Sequence, residues 1–145
     1  MTAPVWRLDR SRFPLLVAYV VGGDGRTPPE LASVARMLDE LAAARGQRAL
    51  VADLTYAVPD AARRKLLIDW HKKHWATLRD ELLGVACIAP GAFHRSVITG
   101  LLWFIQPACP VEAFDRRAAA MDWAAKVLAD KGLSVPSSRP PAATG

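Results

Sequence analysis

Two histidines that stand three residues apart are the first side chains of this sequence that could take part in chemistry. His71 and His74 lie in the run WHKKHW, and side chains at this spacing share one face of a helix, where they can bind one metal ion. No acid or third histidine stands at ligand spacing in the segment, and Lys72 and Lys73 between the histidines would repel a cation. We therefore predict no metal site. The run is more typical of a helix whose inner face is formed by Leu67, Trp70, His74 and Leu78.

The other reactive side chains form no catalytic set. His94 and Ser96 stand near the start of a predicted helix, but no acid follows at a suitable position and no GxSxG nucleophile motif is present. Cys87 and Cys109 lack CxxC spacing and lie among apolar residues, as buried inert thiols do. The glycine-rich GGDG, residues 22–25, lacks the lysine of a P-loop and predicts a turn. We therefore expect a protein that is not an enzyme and has no cofactor.

The stretch VADLTYAVPDAARR, residues 51–64, allows two interpretations. In the first, Thr55 or Tyr56 is modified, or an anion binds at the start of the next helix. The partner-binding residues would then be Asp53, Thr55, Asp60, Arg63 and Arg64. In the second, Asp53 and Thr55 close a turn and Asp60 caps the helix. The sequence leaves both interpretations open, although the carboxyl end of a strand is where open α/β sheets place ligand-facing residues.

The formal charge of +5 permits an acidic partner but does not identify one. Six cations fall in one predicted helix, namely Arg63, Arg64, Lys65, Lys72, Lys73 and Arg79. A basic helix with aromatic residues can contact nucleic acid or an anionic membrane. Acidic residues alternate with these cations, namely Asp60, Asp69, Asp80 and Glu81. We therefore expect a solvated helix face and no nucleic-acid partner.

Neither a membrane-spanning segment nor a signal peptide is visible in the sequence. No run of about 18 apolar residues occurs, so no transmembrane helix is expected. The first residues, MTAPVWRLDRSRF, lack the apolar core of a secretory signal. The prediction is a cytoplasmic protein.

Short apolar runs alternate with longer amphipathic ones along the chain. The short runs predict strands at 14–21, 48–54, 82–90 and 109–114, with an edge strand near VWRL. Helices are predicted at 27–45, 60–82, 92–106 and 115–132. Thr27 and Glu30 have the spacing of a capping box, and Asp115 is placed to cap the last helix.

This alternation predicts an α/β fold with a mostly parallel sheet and about four helices. Residues 1–133 are long enough for one domain with its own core. Residues 134–145 are small, polar and rich in proline, and they predict a flexible C-terminal tail.

Two local patterns point to a known scaffold. Asp53-Leu54-Thr55 follows the central strand, and the chain ends in PVEAFDRRAAAMDWAAKVL, with Phe114 closing a strand and Trp123 in the last helix. The first is similar to the Asp-Leu-Ser before the switch helix of anti-sigma-factor antagonists, and the second is similar to the ending of SpoIIAA-like domains. Residues 5–133 thus resemble the STAS and SpoIIAA-like domains, which are also relatives of the Sec14-type lipid carriers.

The resemblance implies a bacterial regulatory module that binds other proteins. It also exposes a difference, because the family's phosphorylated serine lies in an Asp-Ser-Ser-Gly motif at the start of the switch helix. This chain has Asp60-Ala61-Ala62-Arg63 at that place, so no hydroxyl can accept a phosphate there. The resemblance therefore implies the scaffold without its phosphoserine switch.

The helix VITGLLWFIQ is apolar around most of its circumference, whereas a helix on a sheet usually has a polar outer side. We predict that residues 97–105 bind a protein partner or a second copy of the chain. The predicted contact residues are Ile98, Leu102 and Trp103. The alternative is a carrier or sensor of a lipid or another small apolar ligand, in line with the lipid-carrier relatives.

Overall fold

The structure is a computed structural model that describes residues 3–136. Its strands are β1 (Val5–Arg12), β2 (Leu15–Val21), β3 (Arg48–Asp53), β4 (Leu82–Ile88) and β5 (Val111–Phe114). Its helices are α1 (Leu31–Ala43), α2 (Ala61–Glu81), α3 (Ala92–Leu102) and α4 (Arg117–Ala129). The predicted alternation of strands and helices is confirmed, including the edge strand near VWRL.

The strands form one mixed sheet in the order β1-β2-β3-β4-β5. β1 pairs with β2 antiparallel, and the other neighbours pair in parallel. The fold is thus α/β with a mostly parallel five-stranded sheet and four helices, and its topology is consistent with that of SpoIIAA-like domains. No helix among residues 3–136 is both long enough and apolar enough to cross a membrane.

The two faces of the sheet are covered by different helices because successive side chains of a strand point to opposite sides. Leu16 and Leu50 contribute to a core shared with α1 and α2. Their sequence neighbours Leu15 and Val51 contribute to a second core, shared with α4. Burial on both faces explains why the central strands are apolar at consecutive positions.

α4 approaches the sheet closely at Gly84. A Cβ atom at this position would lie 2.8 Å from Cη2 of Trp123, closer than real Cβ contacts allow. The Trp123 ring also contacts Phe114, with ring centroids 5.9 Å apart. The tryptophan of the last helix therefore packs across β4 and β5, and glycine is needed beneath it.

Two predicted helix caps are wrong. The amide and hydroxyl of Thr27 donate to Asp24, at 2.7 and 3.0 Å, so Thr27 belongs to the preceding turn. α1 begins at Leu31 with no side-chain cap. α4 begins at Arg117, and Asp115 makes an ion pair with Arg95 and caps nothing.

Of the predicted tail, residues 137–145 lie outside the described residues. Residues 134–136 have no regular secondary structure. The carbonyl of Pro136 accepts a hydrogen bond from Arg12 Nε at 3.3 Å, and Val135 packs against the core beneath α4.

Candidate functional site

The turn after β3 is held by side-chain hydrogen bonds. Asp53 Oδ1 accepts from the amide of Thr55 at 3.0 Å and from its hydroxyl at 2.6 Å. Both side chains are half-buried. The interpretation that Asp53 and Thr55 close a turn is therefore confirmed, and the Thr55 hydroxyl faces its own turn.

The start of α2 is also locally satisfied. Asp60 Oδ1 accepts from the amide of Arg63 at 2.9 Å, so Asp60 is the N-cap that the sequence predicted. The Arg63 guanidinium pairs with Asp60 Oδ2 at 2.5 Å and donates from Nε to the carbonyl of Pro29 at 2.7 Å. Arg64 is exposed and makes no ion pair within residues 3–136. Because Arg63 already has partners, Arg64 is the arginine of this pair that remains available.

The loop after β2 packs against the turn after β3. A Cβ atom at Gly23 would lie 2.4 Å from Cβ of Tyr56, so only glycine fits here. Gly22 and Gly25 have positive φ angles of 78° and 76°, as the predicted GGDG turn requires. This contact fixes the carboxyl edge of the sheet, and it leaves Tyr56 with an exposed aromatic ring.

α3 divides into a buried side and an exposed side. Ile98 is buried against Cys87 and Ala89 of the sheet, so its predicted place on a partner-binding surface is wrong. Leu102 and Trp103 are exposed as expected, and Trp103 retains 83% of its accessible surface. Ile98 is the one buried residue of α3, so this helix is attached to the sheet by little apolar contact.

Two further aromatic residues of this region are exposed. Phe104 lies in the predicted binding segment 97–105, whereas Phe93 lies outside it. Phe93 is 66% exposed and Phe104 is 69% exposed. Helical spacing in the sequence could have identified Phe93 as exposed. At about 100° per residue, Phe93, Gly100 and Trp103 all point away from the buried Ile98. α3 ends at Leu102, short of the predicted Gln106, and the amide of Phe104 donates to the carbonyl of Leu101 in a final turn. We call Phe93, Leu102, Trp103 and Phe104 the α3 surface.

Two of the three histidines, His74 and His94, pack against aromatic rings. The rings of His74 and Trp70 have centroids 5.1 Å apart. Trp70 and Leu67 pack against the core, as predicted for the inner face of this helix. Burial lowers the pKa of His71, which favours its neutral form. His94 contacts the edge of the Phe93 ring. Among residues 3–136 no group of three histidine, cysteine or acidic side chains is arranged to hold a metal ion.

The two thiols are poor nucleophiles. Burial raises the pKa of Cys87 to about 12 and that of Cys109 to about 11, so both stay protonated at neutral pH. Neither thiol forms a disulfide.

Comparison with models of protein families, with curated proteins and with solved structures finds no match to this chain. The structure is that of a small α/β domain with a five-stranded mixed sheet. The polar side chains at the carboxyl end of β3 bind one another, and aromatic side chains are exposed on and after α3.

Proposed function

We propose that the chain is a non-enzymatic regulatory module of the STAS or SpoIIAA-like kind, which binds a protein partner or a second copy of itself. The observation that carries the proposal is the α3 surface, in which three aromatic rings are at least 66% exposed within twelve residues of sequence. Scattered single apolar side chains are ordinary on protein surfaces, but Leu102, Trp103 and Phe104 are consecutive, and a group of large exposed apolar side chains is typical of an interface.

The energetics favour an interface centred on Trp103. Removing a large apolar side chain from water contributes about 1.5–3 kcal/mol, and tryptophan is enriched among the residues that dominate binding. Trp103 has the largest exposed fraction of the large apolar residues within positions 3–136. Leu102 and Phe104 flank it and would exclude water from the contact.

The carboxyl edge of the sheet contributes less in this proposal. Asp53, Thr55, Asp60 and Arg63 bind one another or nearby backbone groups, which supports a structural role. Arg64 and the exposed ring of Tyr56 remain as contacts for a partner. The family's switch serine has no counterpart at Ala61 and Ala62, so we propose no phosphorylation at that place.

The second candidate is a carrier of a small apolar ligand. The observation in its favour is a depression of about 420 Å³ lined by Thr99, Leu102 and Trp103. The depression opens broadly to solvent, whereas ligand sites usually enclose most of the ligand surface. We therefore place the carrier second.

Light scattering and organic extraction together test these candidates. A molecular mass that doubles with rising concentration in the wild type, and stays at 15.8 kDa in Trp103→Ala, would support self-association. A molecular mass that stays that of a monomer at all concentrations would exclude self-association and would leave a different protein as the partner. A lipid found by mass spectrometry in extracts of the purified protein, and lost in Trp103→Ala, would favour the carrier instead.

A further inference from the structure

α2 carries a basic stripe that the proposed protein interface does not use. Its residues recur at helical spacing and alternate cations with apolar side chains: Arg64, Ile68, Lys72, Trp75 and Arg79. At about 100° per residue these five positions fall within an arc of about 80°, and at 1.5 Å per residue they extend over about 22 Å. We call these residues the α2 stripe.

The acidic residues of α2 lie outside this arc. Asp69 and Asp80 project about 60° or more beyond its edge, on the side that also carries Lys73. Asp69 pairs with Lys65 at 2.7 Å, so this pair is neutral and leaves the stripe unaffected. Of the stripe's cations, Arg64 and Lys72 make no ion pair within residues 3–136, and Arg79 pairs with Asp80 at 3.3 Å. The alternation of charges seen in the sequence thus separates into two sides of the helix.

The α2 stripe lies next to the exposed end of α3. Trp75 Nε1 donates a hydrogen bond to the carbonyl of Gln106 at 3.2 Å, and Gln106 is two residues after Phe104. The Arg79 guanidinium lies over the Trp75 ring, 5.2 Å from its centroid. The Arg79 end of the α2 stripe therefore borders the segment that carries the exposed rings of Trp103 and Phe104.

We propose that the α2 stripe and the Trp103–Phe104 tip dock the protein on the surface of an anionic membrane. Cations that flank exposed aromatic residues suit the boundary between phosphate headgroups and acyl chains, where tryptophan is preferred. Two α2 stripes that faced each other would repel, so a second copy of the chain is not the occupant of the stripe. Nucleic acid would satisfy the cations, but it offers Leu102 and Ile68 no apolar phase in which to be buried.

The proposal goes beyond the protein-partner proposal, since the α2 stripe has no role there. It is tested by sedimentation of the full 145-residue chain with vesicles of phosphatidylcholine, alone or mixed with an equal amount of phosphatidylglycerol. We expect binding to the anionic vesicles only, and weaker binding as salt is added. Absence of binding to the anionic vesicles would overturn the membrane proposal and would leave the protein-partner proposal standing.

Neighbouring lysines provide a matched pair of variants. Lys72→Gln should weaken binding to the anionic vesicles about fivefold, because each cation near such a surface contributes about 1 kcal/mol. Lys73→Gln removes the same charge from the next residue, about 100° away around the helix, and should have a smaller effect. Equal effects of the two variants would contradict docking through the stripe.

The tip is tested by the double variant Trp103→Ala and Phe104→Ala, which should lose most of the blue shift of tryptophan fluorescence that anionic vesicles cause in the wild type, because Trp103 is far more exposed than Trp75 of the stripe. A blue shift of unchanged size would contradict insertion of the tip. Because both side chains are exposed, the variant should keep the circular dichroism spectrum of the wild type.

Binding to duplex DNA is the third part of the test. Retention of DNA without vesicle binding would overturn the membrane proposal in favour of a nucleic-acid surface.

Discussion

Two arginines contact the same carboxylate from very different environments, and this difference yields a sharp prediction. The side chain of Arg48, at the start of β3, is fully buried, whereas that of Arg45 is 71% exposed. Arg45 Nε lies 2.9 Å from Glu81, and Arg48 lies 3.7 Å from it. Arg48 also donates to the carbonyls of Gly46, at 2.7 Å, and Leu41, at 3.0 Å. We expect Arg48→Met to destabilise the fold far more than Arg45→Met.

The loss in the free energy of unfolding can be worked out from the hydrogen bonds that each substitution removes. Hydrogen bonds from a charged donor contribute about 1.5–3 kcal/mol each, so the two carbonyl contacts of Arg48 account for about 3–6 kcal/mol. Burial of methionine recovers about 1.5–3 kcal/mol of this. The free energy of unfolding should therefore fall by about 1.5–3 kcal/mol in Arg48→Met. An exposed ion pair contributes about 0–1 kcal/mol, which sets the effect of Arg45→Met.

Urea unfolding followed by circular dichroism measures both variants under the same conditions. The midpoint should move to clearly lower urea in Arg48→Met and should remain near the wild-type value in Arg45→Met. Equal midpoints for the two variants, or a stabilised Arg48→Met, would contradict this prediction. The second result would mean that dehydration of the guanidinium costs more than its two carbonyl bonds contribute.

Three further predictions concern packing, titration and capping. Gly84→Ala should lower the free energy of unfolding by about 1–3 kcal/mol because the new methyl group meets the Trp123 ring. Urea unfolding of the double variant should show that Trp123→Phe removes part of this loss. The hydrogen bond from the Gly46 amide is the largest cause that lowers the pKa of Glu81, and Arg45 lowers it further. The stability that ionised Glu81 contributes should therefore be lost as pH falls below about 4.3. The thermal unfolding temperature of Glu81→Gln should depend less on pH in that range. Asp60→Ala should cost about 1 kcal/mol in a urea titration, whereas Asp60→Asn should retain most of the cap.

The sequence predicted the elements whose signals are long and consistent. The apolar run of β2 and the cap of α2 at Asp60 were both visible in it, and the structure confirms them. The capping box at Thr27 failed because Asp24, three residues earlier, captures the amide and hydroxyl of Thr27. Such competition between two local acceptors depends on the path of the loop, which residue types alone do not specify.

The apolar character of α3 was visible in the sequence, but the side that faces the sheet was not. When apolar residues surround a helix, periodicity does not distinguish Ile98 from Trp103, and only the packing of Ile98 on Cys87 and Ala89 does so. Arg48 was equally hidden, since arginine is seldom buried. Its burial depends on the carbonyls of Gly46 and Leu41, which the fold brings to it.

The central claim is that the protein acts by binding through the α3 surface. The most direct measurement is quantitative affinity purification from the native cell with three baits: wild type, Trp103→Ala and Phe13→Ala. Phe13 is also an exposed aromatic residue, but it lies in the β1–β2 connection at the opposite edge of the sheet. We predict at least one protein, or a differently tagged second copy, that is retained by wild type and Phe13→Ala and lost from Trp103→Ala. Identical recoveries with all three baits would contradict it.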